Sequence, residues 1–202
     1  MTLPSAPPAD RNPLLGFAAA LAVFSVLLSP AQARAESVAF TLMAGPSAYA
    51  TSWRGDFGGG GTLRAGARFA RVVAVEFQGW ESYATVDHRI NTGLSLGVAG
   101  YVPLRSVRPY GRVFAIHQHE ESLVSVEDAP GGVVLGVGAG IRHRAGGGLT
   151  LGVEVPQRLL GRRLEPALTV SANAKWFPDA LGPRWVFGVD LGISLKFIPG
   201  GA

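Results

Sequence analysis

The stretch Trp185–Phe197, Trp-Val-Phe-Gly-Val-Asp-Leu-Gly-Ile-Ser-Leu-Lys-Phe, carries the clearest structural signal in the sequence. Its odd-numbered positions are all large and apolar, and its even-numbered positions are nearly all small or polar. Because successive side chains of a strand point to opposite faces, this alternation predicts a β-strand with one apolar and one polar face. A run of this length suits a tilted strand that crosses a bilayer, with lipid outside and a polar lumen inside. A soluble β-sandwich would show the same alternation.

Weaker copies of this alternation occur along the rest of the chain. They begin at Val38, Leu63, Val73, Leu94, Tyr110, Val133, Leu149 and Leu168. Between them, Ala70–Arg71 and Gly146–Gly148 predict tight turns, and Gly58–Gly61 predicts a hinge. Polar loops are predicted at 51–60, 86–91, 120–132 and 156–166. Bacterial single-chain barrels have an even number of strands, so the nine candidates, Trp185–Phe197 included, predict eight strands, with ten as the alternative.

The N-terminal 35 residues have the layout of a secretory signal peptide. An apolar run, Leu14–Leu28, follows Arg11, and Ala33–Ala35 offers small residues for cleavage before Glu36. We therefore expect residues 1–35 to be removed and residues 36–202 to form one β-barrel domain. A retained N-terminal anchor is the alternative.

Composition excludes several classes of function. The 202 residues include 18 Lys and Arg against 14 Asp and Glu, without a basic cluster dense enough for nucleic-acid binding. The chain has no Cys, which excludes disulfides and thiolate chemistry. No apolar run after residue 36 is long enough for a transmembrane helix.

Charged residues occupy the alternate strand positions that form the polar face. Their presence there indicates that the opposite, apolar face contacts lipid and not water. Arg or Lys in the middle of a lipid-facing strand costs about 2–4 kcal/mol, whereas a polar lumen accepts it. We expect Glu76 to pair with Arg64 or Arg68, and Lys175 with Asp190. The other polar residues of this parity are Arg142, Glu154, Asn173 and Lys196. A secreted soluble barrel is the alternative.

Aromatic residues near the strand ends are typical of the girdles that transmembrane barrels place at the membrane interfaces. These residues are Tyr49, Trp53, Phe69, Tyr83, Tyr101, Tyr110, Trp176, Trp185 and Phe197.

With its signal peptide, strand-turn repeats and aromatic ending, the chain resembles the small outer-membrane β-barrels of Gram-negative bacteria, the OmpA-like and OmpW-like porin-fold families. Gly192, Leu195 and Phe197 resemble the C-terminal signal that the barrel assembly machinery recognises. Two departures are Leu191, where that signal usually has a polar residue, and the residues that follow Phe197. The resemblance implies an antiparallel up-and-down transmembrane barrel in the outer membrane, with the lipid bilayer and lipopolysaccharide as partners.

The segment His117–Glu121 is the one constellation with metal-ligand content. On a strand, His117 and His119 share a face, a spacing that suits zinc or copper. A polar strand end is the commoner explanation, so the sequence predicts no metal site. Ser122, His119 and Glu121 could form a hydrolytic triad, but neighbours in sequence rarely converge in space. We therefore predict no catalytic residues and no cofactor.

Two further motifs have ordinary explanations. Gly136, Gly138 and Gly140 alternate with apolar residues and precede no helix, so they predict small lumen-facing positions and not a phosphate loop. The arginines Arg158, Arg162 and Arg163 fall in a predicted loop. If that loop were extracellular, it could contact lipopolysaccharide phosphates.

The sequence thus predicts a non-enzymatic outer-membrane barrel with a structural or surface-interaction role. An eight-stranded barrel is narrow enough for side chains to fill, so we expect no open channel. A narrow pore or carrier for small molecules is the first alternative, and a barrel enzyme that acts on lipid is the second.

Overall fold

A computed structural model of the chain describes residues 38–53, 55–86, 88–122, 141–157 and 164–199, and the side chain of Ser122 is outside this description. These residues form eight β-strands. The strands are β1 Val38–Thr51, β2 Phe57–Phe69, β3 Val73–Ala84, β4 Arg89–Tyr101, β5 Arg108–Ser122, β6 Arg142–Pro156, β7 Leu164–Trp176 and β8 Trp185–Phe197. Among the described residues, no helix is long and apolar enough to cross a membrane.

The eight strands form a closed antiparallel barrel. Each strand pairs with its neighbours in the sequence, and β1 also pairs with β8, with Phe40 opposite Phe197 and Ala44 opposite Ile193. Because β1 and β8 pair directly, the ring has no place for further strands. The predicted up-and-down barrel of eight strands is confirmed, and the alternative of ten strands is wrong. The ninth candidate strand, 133–141, falls outside the described residues except for Ile141.

The outer face of the barrel is apolar. On β8, the odd-numbered residues from Trp185 to Phe197 are 37–61% exposed, and the even-numbered Val186, Asp190, Ser194 and Lys196 are buried. The other strands also expose large apolar residues, for example Phe40 and Leu42 on β1 and Phe77 on β3. Such an exterior is favourable in lipid and unfavourable in water, so the barrel is a transmembrane one and the soluble alternative is wrong.

Six charged residues of the strands lie inside the barrel. Arg64, Arg68, Glu76, Arg112, Glu154 and Asp190 are all at least 94% buried. A closed ladder leaves no sheet edge in the lipid.

The barrel has two ends with different connections. We call the end where β1 begins and β8 ends the terminal end, and the opposite end the loop end. Connections at the terminal end are 70–72, 102–107 and 157–163, and those at the loop end are 52–56, 85–88, 123–141 and 177–184. At the terminal end, Ala70 and Arg71 both have positive φ, as tight hairpin turns require, which confirms the turn predicted there.

The predicted hinge and one predicted tight turn are wrong because their glycines lie inside strands, and the predicted loop 86–91 is shorter than expected. Gly58–Gly61 belongs to β2, Gly146–Gly148 belongs to β6, and β4 already begins at Arg89. Gly58–Gly61 pairs with β1 on one side and β3 on the other, and Gly147 pairs with Ala115 and Trp176. Hydrogen bonds from two neighbouring strands outweigh the turn preference of glycine.

Of the nine aromatic residues predicted for the girdles, three are not on the outer face. Tyr101 and Tyr110 are 1% and 4% exposed and lie in the lumen, and Tyr49 packs against an apolar cluster inside the barrel. Five are exposed on the outside, namely Phe69, Tyr83, Trp176, Trp185 and Phe197, and Trp53 is exposed in the loop 52–56. A strand-end position does not fix the face, because parity decides it.

Candidate functional site

A buried charge network fills the lumen toward the terminal end. Glu76 on β3 lies at its centre, with Oε2 3.6 Å from Arg64 Nη1 and 3.5 Å from Arg112 Nε. The hydroxyl of Tyr101 donates a hydrogen bond of 2.5 Å to Glu76 Oε1. Arg112 has no exposed surface and donates to Gln78 Oε1 at 2.8 Å. The predicted Glu76–Arg64 pair is therefore confirmed, and Arg112 is an additional partner.

A second part of the network spans the lumen. Arg68 on β2 donates two hydrogen bonds, of 3.1 and 2.8 Å, to the carboxylate of Glu154 on β6. Because β2 and β6 are four strands apart in a ring of eight, this pair joins opposite walls. The Arg68 guanidinium also lies 3.5 Å from the centroid of the Tyr101 ring, and Arg64 Nη2 donates to Tyr110 Oη at 3.1 Å. These bridges tie β2 to β4, β5 and β6.

An apolar cluster lies in the lumen on the loop-end side of this charge network. Trp80, Phe114, Ile116, Phe177 and Val186 form one buried cluster there. The ammonium of Lys175 lies 3.6 Å from the centroid of the Trp80 ring, a cation–π geometry. Asp190, its predicted ion-pair partner, accepts hydrogen bonds from Asn173 at 3.1 Å and Ser171 at 3.5 Å.

At the mouth of the loop end, ion pairs join β5 to β6, and a further ion pair joins β6 to the loop 177–184. Glu120 accepts hydrogen bonds from Arg142 at 2.6 Å and from Arg144 at 2.9 Å. Arg144 Nε also lies 3.0 and 3.1 Å from the two carboxylate oxygens of Asp179, in the loop 177–184. Burial raises the pKa of Asp179, but the hydrogen bonds from Arg144 and the Leu181 amide outweigh it and lower the pKa below its usual value.

A small polar cavity remains between the apolar cluster and this mouth. Its volume is about 40 Å³, and its lining includes Tyr49, Gln78, Glu120, Lys175 and Asp190. One buried water needs at least about 10–15 Å³, so the cavity has room for water.

The histidines predicted to share a face do so, on the outer wall of the barrel. His117 and His143 are exposed, and His119 is 8% exposed. The Nε2 atoms of His117 and His119 are 2.7 Å apart. His143 on β6 lies directly opposite His119 and completes a group of three imidazoles, which we call the histidine cluster. Sequence reasoning missed His143 because only the strand register brings it to the other two.

The remaining sequence candidates lie outside the described part of the chain. Gly136, Gly138, Gly140, Arg158, Arg162 and Arg163 fall outside the described residues, as does the side chain of Ser122. The strands that flank the arginines, β6 and β7, end and begin at the terminal end, which also holds Val38 and Phe197. Their connection is therefore opposite the loop end, not beside the long connection 123–141.

No protein-family model and no curated protein matches the sequence. Among solved structures, the crystal structure of Neisserial surface protein A is similar, with a TM-score of 0.52 and 14% identity over 80% of this chain and 97% of that chain. The outer membrane protein OprG from Pseudomonas aeruginosa is also similar, with a TM-score of 0.50 and 14% identity over 81% of this chain and 97% of that chain. The predicted likeness in fold to small outer-membrane barrels is confirmed. Together with the apolar exterior, this fold confirms the predicted location in an outer membrane.

Proposed function

We propose that the protein is an outer-membrane barrel with a closed lumen and a structural or surface-interaction role. The observation that carries the proposal is the Arg68–Glu154 bridge between opposite walls, beside the fully buried Arg112. An eight-stranded barrel is only wide enough for its own side chains. An ion that crossed this lumen would have to separate charge-assisted hydrogen bonds in a buried environment, where they are strong.

The apolar cluster around Trp80 and Phe114 is a second observation in favour of a closed lumen. It lies toward the loop end of the charge network, so a permeating ion would lose its hydration there as well. The small volume of the polar cavity argues against uptake of a solute from the loop end. A narrow pore remains the alternative function.

Conductance in planar bilayers tests the closed lumen. We expect no single-channel steps from the purified protein, because the Arg68–Glu154 bridge and the apolar cluster close the lumen at two heights. The double variant Arg68→Ala/Glu154→Ala removes the bridge and is expected to raise ion leak. Discrete steps from the unmodified protein would favour the narrow pore. Different migration of boiled and unboiled samples on gels verifies that both proteins are folded.

We further propose that residues 1–35 are cleaved and that the loop end faces the cell exterior. Barrels of this class have short periplasmic turns and longer extracellular loops, and the connection 123–141 is the longest one in the ring. Exposed aromatic side chains at this end, such as Trp53, Tyr83 and Trp185, suit contact with lipopolysaccharide at the interface. The arginines in 158–163 would then lie on the periplasmic side. N-terminal sequencing of the mature protein tests the cleavage before Glu36.

The barrel assembly machinery is the expected partner during insertion. Phe197 ends β8, faces outward and is 48% exposed, as an aromatic recognised from outside requires. Phe197→Ala should slow assembly in cells, whereas Phe187→Ala, at a similarly exposed position of the same strand, should not. Equal effects of the two substitutions would contradict this role for Phe197.

A further inference from the structure

Three of the four histidines of the chain meet on the outer wall of the barrel. His117 and His119 alternate along β5 on the outward parity that Val113 and Ala115 occupy closer to the terminal end. His143 is the second residue of β6 and is paired with His119. Apolar residues would satisfy an outward position, so folding alone does not require three adjacent imidazoles there.

The geometry of the histidine cluster suits one shared ion. One ligand nitrogen from each ring lies within 4.8 Å of the other two, and the His117 and His119 nitrogens are 2.7 Å apart. Zinc–nitrogen bonds of about 2.0–2.1 Å in a tetrahedral site place ligand nitrogens about 3.3 Å apart. The observed separations lie on both sides of that value. Small rotations of exposed imidazoles about their side-chain bonds would equalise them.

The position of the cluster makes it accessible to ions from water. At about 3.4 Å per residue, His119 is about 10 Å from Ser122, where β5 ends at the loop end. His117 and His143 are exposed. His119 and His143 are nearer to the loop-end termini of their strands than to the strand middles, so an ion that approaches from the loop end meets the cluster first.

The donor set selects a class of metal. Three neutral imidazoles are suited to Zn²⁺, Cu²⁺ and Ni²⁺, whereas Ca²⁺ and Mg²⁺ prefer carboxylate and carbonyl oxygens. Three protein ligands also leave a fourth position of a tetrahedral ion open to water or another oxygen ligand.

We propose that His117, His119 and His143 form a binding site for a divalent transition metal, represented by Zn²⁺, on the outer wall near the loop end. The site joins β5 to β6 next to the connection 123–141. It is independent of the closed lumen, because the rings lie on the opposite face of the strands from Gln118 and Arg144.

Titration with Zn²⁺ tests the site. The protein is purified from outer membranes in detergent without a polyhistidine tag, and binding is measured by isothermal titration calorimetry. We expect one Zn²⁺ per barrel, with the affinity at least tenfold lower in His117→Ala and in His143→Ala. His88→Ala is the matched control, because His88 is the one histidine outside the cluster and is also exposed. Its affinity should equal that of the unmodified protein.

Three results would overturn the proposal: no saturable binding to the unmodified protein, unchanged affinity in His143→Ala, or an equal loss in His88→Ala. Heat-dependent gel mobility verifies the fold of each variant. Should a cluster variant fail to fold, the visible spectrum of Co²⁺ added to the unmodified protein decides. The strong absorption of a tetrahedral site supports the proposal, and only the weak absorption of hexa-aqua Co²⁺ contradicts it.

Discussion

The Arg68–Glu154 pair joins opposite walls of the lumen through two buried, oppositely charged side chains. Both side chains are almost fully buried, so removing one partner leaves an uncompensated charge. Loss of one member of such a pair typically costs about 3–5 kcal/mol. We expect Glu154→Ala to lower the free energy of unfolding by about this amount, measured by urea titration in lipid vesicles. Arg68→Ala/Glu154→Ala should cost less than the sum of the two single substitutions.

The pair Arg108–Glu165 supplies the matched control. It also joins an arginine to a glutamate, with Arg108 Nη2 3.0 Å from Glu165 Oε2, but its side chains are 16% and 25% exposed at the terminal end. Partial exposure reduces the desolvation of a charge left alone, so Glu165→Ala should cost clearly less than Glu154→Ala. Equal costs would show that the bridge across the lumen has no special weight.

Gly93 tests the packing inside the barrel. A Cβ atom at this position would lie 1.9 Å from the Trp80 ring, a contact that requires the ring to move. Overpacking of this kind costs about 1–3 kcal/mol, so Gly93→Ala should lower the free energy of unfolding by that amount. At Gly111 the nearest side-chain atom would be 3.6 Å from a Cβ, on the outer face, and Gly111→Ala should be nearly neutral. A neutral Gly93→Ala would mean that Trp80 is not held where the structure has it.

For single residues, the sequence predicts which face of a strand a side chain occupies, but it predicts the ion-pair partners only in part. The alternation of side chains placed Arg64, Arg68 and Glu76 inside the barrel, because parity depends on local sequence alone. The choice of Glu154 for Arg68 depends on the width of the closed ring. Width and strand stagger are properties of the whole barrel, so no local pattern contains them.

At the scale of elements, glycine caused most of the errors. Gly58–Gly61 suggests a hinge and Gly146–Gly148 a turn in isolation, yet both lie within strands. Position 148 requires glycine within the strand because a Cβ there would lie 2.5 Å from the Phe114 ring. His143, the third member of the histidine cluster, was missed for a related reason. Only the register between β5 and β6 places it beside His119, and no sequence motif indicates that register.

The loop 177–184 is an element whose attachment should depend on pH. The lowered pKa of Asp179 means that its ionised form is stabilised in the folded protein. The attachment to Arg144 is therefore complete above the ordinary carboxyl pKa of about 3.9 and weakens as the pH falls through the lowered value. Amide hydrogen exchange in 177–184 should accelerate over that range, beyond the intrinsic effect of pH.

Asp179→Asn is the control for this prediction. The amide cannot ionise, so exchange in the loop should already be faster at neutral pH and should show no added change in the acidic range. The same acid-dependent step in Asp179→Asn would show that it does not arise from Asp179.

For the whole molecule, closure of the ring of strands determines at which end of the barrel the two chain termini lie. Because the number of strands is even, the start of β1 and the end of β8 lie at the same end of the barrel. The orientation of the barrel in the membrane therefore fixes the side on which every connection lies. If the chain enters from the periplasm after cleavage of residues 1–35, the loop end is extracellular. The absence of Cys from the sequence makes this orientation directly measurable with single introduced thiols.

Leu181→Cys and Leu104→Cys form a matched pair for that measurement. The two leucines are 52% and 53% exposed, in connections at the loop end and the terminal end respectively, so their intrinsic accessibility is equal. A membrane-impermeant maleimide added to intact cells should label Leu181→Cys and leave Leu104→Cys unlabelled until the outer membrane is permeabilised. The reverse pattern would place the loop end in the periplasm and would remove the basis for its proposed surface role.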